Sequence, residues 1–151
     1  MVMNLNEIST VINIYTYAFS IAFILIVYVL KIPELITGGK KIVKYYYYEN
    51  FVYSSAIEFI LVGLYLLACF YIITEYNIEK KHILYKTIIV FTVSILINSV
   101  FYILFTIQSE YNNFFSHWFH TVGVSGIVYR GILLVIVYLI YKYIENIIIN
   151  K

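Results

Sequence analysis

The sequence predicts an all-α polytopic membrane protein, with four transmembrane helices in an up-down-up-down bundle and a short interfacial helix before the last span. Three observations lead there. Four apolar runs fill most of the 151 residues, each close to the roughly 20 residues that cross a hydrocarbon core about 30 Å thick. Hydrophobic residues make up 63% of the chain and charged residues 12%, about half the charged share of a soluble domain, which leaves little material for a water-soluble core. The runs are also apolar on every face, whereas a membrane barrel strand alternates apolar and polar residues. A backbone in lipid must bond internally, so helix wins even where β-branched Ile and Val dominate.

The first span is placed at 11–30, where Val11 to Leu30 carries no charge. The ten residues before it, MVMNLNEIST, contain Glu7 and no Lys or Arg. A secretory signal opens with a basic region, so this segment reads as a retained span. The 31–50 connection holds the helix breakers Pro33, Gly38 and Gly39, followed by KKIVKYYYYENF. Lysines mixed with tyrosines suit an interfacial anchor at headgroup level, or an anionic-lipid site. The second span, 52–74, is interrupted only by Glu58, and the third, 87–107, by no charge at all. In SEYNNFFSHWFHTVGVSG the aromatic residues Phe114, Phe115, Trp118 and Phe119 fall at helical spacing. That predicts an interfacial helix over about 110–120, with Trp118 as its anchor. The fourth span, 123–144, is interrupted only by Arg130.

An even number of spans puts the N- and C-termini on the same side. Lys80, Lys81, Lys86, Lys142 and Lys151 lie on that side, against Lys31, Lys40, Lys41 and Lys44 on the other. The positive-inside rule needs a clearer bias, so orientation stays open. A net charge of +2 argues against a nucleic-acid partner. Cys69 is the single cysteine; it forms no intramolecular disulfide and reads as a small packing residue. The wealth of Ile, Tyr, Asn, Lys and Phe, all with AT-rich codons, points to an AT-rich genome and argues against reading Tyr45–Tyr48 as a binding motif.

The intramembrane polar residues are the candidate site. Glu58 lies about 10 Å into its span and Arg130 about 12 Å beyond Val122, at 1.5 Å per residue. Both spans start on the same side, so the opposite charges reach similar depth. An unpaired charge there costs at least about 2.5 kcal/mol; the expectation is a Glu58–Arg130 pair joining spans two and four. Asn98, about 13 Å from the same side, joins the cluster because its amide seeks a neighbouring helix. The same trio also suits a polar cavity that carries a proton, an ion or a small ligand. His117 and His120 lie in the interfacial segment beside Trp118, but two imidazoles do not make a metal site. No metal or cofactor is expected. His117, His120 and Glu110 offer a lipid-directed enzyme no nucleophile or complete metal set.

Thr121-Val122-Gly123-Val124-Ser125-Gly126 resembles the potassium-channel filter TVGYG and follows a short aromatic helix, as a filter follows its pore helix. That resemblance implies stacked backbone carbonyls around a cation, with Val124 where the filter has tyrosine and Arg130 close to the ion path. A plainer reading is that these small residues let span four start close against a neighbour. Trp118, Val122-Gly123 and Tyr129 are similar to a pattern in uncharacterised small membrane proteins of large, AT-rich DNA viruses, with Arg130 where that pattern has an acid. The similarity covers the last 35 or so residues and implies a component of a viral or host-cell membrane. The expected function is non-enzymatic, through contacts with membrane lipids, with other copies or with another membrane protein. The alternative is a small ion or proton channel or transporter.

Overall fold

The computed structural model describes residues 5–107 and 113–149, and every element among them is helical. Helix α1 (Leu5–Phe23) widens into a π-helical stretch, Ile24–Val29, closed by the Leu30 N–H donating to Leu25 O at 2.9 Å. Lys31, with φ of 49°, ends it. Two short helices follow where a connection was expected, α2 (Ile32–Thr37) and α3 (Lys41–Lys44), the latter continuing as a second π-helical stretch, Tyr45–Glu49. Pro33 occupies the first turn of α2, where no backbone N–H is needed; it starts a helix and does not break one. Gly38 and Gly39, at φ of 68° and 70°, make the turn that an L side chain resists. A Lys44–Glu34 ion pair of 2.9 Å then ties α3 to α2.

The long helices are α4 (Phe51–Glu75), α5 (Ile83–Ile107) and α7 (Val124–Ile149), with the nine-residue α6 (Phe114–Val122) before the last. With the first helix, that gives four helices long and apolar enough to cross a membrane: Glu7–Val29, Phe51–Glu75, Ile83–Ile107 and Val124–Ile148. The expected spans all coincide with these, shifted by a few residues at their ends. A turn centred on Asn77, at φ of 53°, and a 3₁₀ segment, Ile78–Lys80, link α4 to α5.

α7 is the axis. It packs against both α1 and α5 and also touches α2, α4 and α6. Leu133, Leu134, Val137 and Tyr138 on it are wholly buried. α5 buries one stripe fully, Val90, Ser94 and Asn98, at four-residue spacing, flanked by half-buried Ile89, Val93, Ile97 and Phe101 packed against the core. In lipid, apolar burial hardly favours one neighbour over another; close packing and polar contacts decide. Two glycines show the packing part. A Cβ on Gly131 of α7 would lie 2.7 Å from the Phe91 ring of α5, and one on Gly63 of α4 would lie 3.2 Å from the Tyr15 hydroxyl of α1. The tyrosine lies across Gly63, and its hydroxyl donates to Phe59 O.

The two π-helical stretches meet. The Tyr28 hydroxyl, from the first, donates to Tyr47 O in the second at 3.0 Å. The Tyr48 hydroxyl, from the second, donates to Val27 O in the first at 3.1 Å. A π-turn displaces backbone carbonyls from the regular helical ladder, and each stretch receives a hydroxyl from the other.

Candidate functional site

Glu58 faces the same side of α4 as Ser54, Val62, Tyr65, Cys69 and Ile73, all buried. Arg130 sits two turns into α7. Its Nη2 donates to Glu58 Oε1 at 3.2 Å, and this ion pair is shut in, with side-chain exposures of 8% for Arg130 and 1% for Glu58. Arg130 Nη1 donates to Asn98 Oδ1 at 3.3 Å. The same Asn98 oxygen accepts from the Tyr65 hydroxyl at 3.4 Å, while its amide nitrogen donates to Ser94 O at 2.9 Å. Three helices are thereby joined through one guanidinium and one carboxamide. The expected trio of Glu58, Arg130 and Asn98 is brought together.

Tyr47 completes the shell. Its hydroxyl donates to Glu58 Oε1 at 3.0 Å, from the π-helical stretch that follows α3. Tyr46 and Tyr129 stand near, each buried and each with a hydroxyl that has no hydrogen-bond partner; Arg130 Nε is likewise unpartnered. Burial pushes the Tyr46 and Tyr47 phenols above their ordinary range, and the Glu58 carboxylate adds to the rise. A charged carboxylate and a charged guanidinium so enclosed need most of their lone pairs and protons met by neighbours, and Tyr47 and Asn98 supply part of that need.

The aromatic segments depart from expectation. Tyr46 and Tyr47, expected in an interfacial anchor, are turned into the protein, at 2% and 0% exposed. Trp118, expected as the anchor of the interfacial helix, is also buried among helices. Its ring packs 5.1 Å from Tyr46 and 5.9 Å from Tyr47. The reason is complementarity: α6 packs its apolar face on α5, with Phe119 against Phe105, and on the Tyr45–Glu49 stretch, where its tryptophan fills a gap between helices. His117 and His120 lie on the exposed face of α6, each with contacts of its own. The start of the expected interfacial helix, with Glu110, lies outside the described residues; the described part begins at Phe114. Asn113 caps it, its side-chain oxygen accepting from Ser116 N at 2.8 Å.

The filter resemblance does not survive the geometry. Thr121 and Val122 end α6, Gly123 turns the chain, and Val124 to Gly126 begin α7. Thr121 O accepts from Lys40 Nζ, Val122 O from Ser125 Oγ at 2.5 Å and Gly123 O from Gly126 N at 3.1 Å, so these carbonyls form no extended ladder. Among the described residues no group of three or more His, Cys, Asp or Glu is placed to hold a metal ion.

Sequence reasoning missed Tyr47, Tyr65 and Ser94. Tyr65 stands seven residues after Glu58 and Ser94 four before Asn98, spacings that put each on its partner's face. For Tyr47, which arrives from a connecting segment, no such signal exists.

These features define a class: a helical protein with four candidate membrane spans, carrying a buried ion pair between two of them. Comparison with family models, with curated proteins and with solved structures finds no match.

Proposed function

We propose that this chain is an integral membrane protein of up-down-up-down topology, with both termini on one side, that works without catalysis. Its role is played through lateral contacts with a second membrane protein or with further copies of itself, in a viral or host-cell membrane. The enclosure of Glu58 and Arg130 carries this reading. Their charges are spent on each other and on Tyr47 and Asn98, so the polar interior acts as a clasp that fixes which helices are neighbours. The outward surface is then left to do the work. On α5 it includes Leu96, Val100, Ile103, Leu104 and Ile107, all exposed.

The test is chemical crosslinking of the protein in native-composition vesicles, followed by its size in gentle detergent. Crosslinked homomers or a co-purifying membrane protein are expected, lost when Val100 and Leu104 are both changed to Ala. A monomer under both conditions overturns the reading. Topology is checked by single-cysteine labelling in a Cys69→Ala background: cysteines at Lys40 and Lys80 are expected to label from opposite sides.

A second reading, a proton path, draws support from the Tyr46 and Tyr129 hydroxyls that lack partners close to Glu58. Proton flux into liposomes separates the two. Flux abolished by Glu58→Gln favours the path, and none from folded, inserted protein favours the clasp.

A further inference from the structure

At the opposite end of the long helices from Tyr47, a cavity of about 260 Å³ opens between α4, α5 and α7. Its wall includes Thr74, Glu79, Lys86, Tyr138 and Lys142, with Phe70 on the apolar side. Here two ammonium groups stand in a chain that has few charges, beside a phenol with nothing to bond. Tyr138 is wholly buried, yet its hydroxyl has no hydrogen-bond partner. A buried hydroxyl left unmatched costs about 1–3 kcal/mol, so a partner from outside the chain is favoured.

The donors outnumber what the chain uses. Lys86 Nζ donates to Glu79 O at 3.1 Å. Lys142 Nζ donates to Glu145 Oε2 at 2.6 Å and lies 5.2 Å over the Phe70 ring. Each ammonium has three N–H groups, so both keep donors to spare. Thr74 is occupied, its hydroxyl on Glu79 Oε1 at 2.8 Å. Thr74 and Glu79 thus meet each other in part, while the Tyr138 hydroxyl meets nothing in the chain.

We infer that this cavity binds a phosphate group, supplied by a phospholipid headgroup of the adjoining leaflet. A phosphodiester brings two unesterified oxygens with several acceptor positions, which match two ammonium groups and a phenol; a carbonyl or hydroxyl headgroup matches one of them. The place fits the source. Lys86 stands one turn into α5 and Lys142 in the last third of α7, where a span leaves the hydrocarbon. Charge balance sets the selectivity. Lys86 and Lys142 are offset by Glu79 and Glu145, so the site carries no net charge. It selects the phosphate by local hydrogen bonds and is indifferent to the overall charge of the lipid.

Native mass spectrometry of the purified protein tests this, with dioleoyl phosphatidylglycerol, dioleoyl phosphatidylethanolamine, dioleoylglycerol and inorganic phosphate as probes. One equivalent of either phospholipid is expected to stay bound, the two within about threefold of each other, and dioleoylglycerol to be lost. Lys86→Gln and Lys142→Gln each weaken retention by about tenfold, as removal of one charge-assisted hydrogen bond does, with helical circular dichroism unchanged. Tyr138→Phe, which keeps the packing, weakens it by about fivefold, as loss of a neutral hydrogen bond does. If inorganic phosphate displaces the lipid and is itself lost in Lys86→Gln, the phosphate site stands with a soluble source. Equal retention of dioleoylglycerol and phospholipid overturns the inference, as does full retention in the Lys86→Gln/Lys142→Gln double variant.

Discussion

Removing one partner of the Glu58–Arg130 pair affects the protein differently according to which partner goes. Glu58→Gln removes the countercharge of the guanidinium, which does not lose its proton, and leaves it only neutral acceptors, the amide oxygen at position 58 and Asn98 Oδ1 at 3.3 Å. Breaking a buried pair in this way costs about 3–5 kcal/mol; since Asn98 remains, about 3 kcal/mol is expected. Arg130→Met strands the carboxylate, with the Tyr47 hydroxyl as its remaining donor at 3.0 Å, and is expected to cost toward about 5 kcal/mol. Glu58→Gln/Arg130→Met leaves no charge buried and returns to within about 1 kcal/mol of the parent, because a pair exchanged for uncharged groups is often neutral. Unfolding in mixed dodecyl maltoside and dodecyl sulfate micelles, followed by circular dichroism, measures all four proteins. A Glu58→Gln loss under about 0.5 kcal/mol, the scale of an exposed pair, refutes the clasp. So does an Arg130→Met loss of that small size.

Three further outcomes follow from the same geometry. Asn98→Leu leaves Arg130 Nη1 and the Tyr65 hydroxyl without their shared acceptor, for a loss of about 1–3 kcal/mol in the same unfolding assay. Gly131→Ala puts a methyl 2.7 Å from the Phe91 ring; overpacking of this kind costs about 1–3 kcal/mol, and Phe91→Ala in the same chain relieves it. The Tyr46 and Tyr47 phenols titrate above their ordinary range, so the fold favours their neutral forms. Their contribution is fully present below about pH 10, the ordinary phenol value, and is lost as pH rises beyond it. Tyrosinate absorbance should show these two ionising only with loss of helicity, and Tyr46→Phe/Tyr47→Phe should shrink that late step by two phenols.

How much of this was legible depended on the range of the signal. Spans were readable because a run such as Thr87 to Ile107 states its own length and polarity. The Glu58–Arg130 contact was readable because charge in hydrocarbon is costly and only one opposite charge lay at matching depth. The 31–50 segment was not readable. Its lysines and tyrosines look interfacial, but whether Tyr46 faces headgroups or Trp118 depends on where α6 docks, and nothing local in KKIVKYYYYENF encodes that. Trp118 was misread for the same reason. Its spacing showed an amphipathic helix, while the surface that covered the tryptophan lay 70 residues earlier in the chain.

The paired π-helical stretches mark where this chain can absorb a change in length. A π-turn carries one residue more than an α-turn, so a residue lost from Ile24–Val29 or Tyr45–Glu49 closes the wide turn to an ordinary one and leaves the face presented downstream nearly in place. A residue lost between Phe51 and Glu58, in regular helix, has no such outlet: the chain turns about 100° per residue, and Glu58 would turn from Arg130. Closing either wide turn does return its displaced carbonyls to the ladder, so the Tyr28 and Tyr48 hydroxyls would lose Tyr47 O and Val27 O as acceptors.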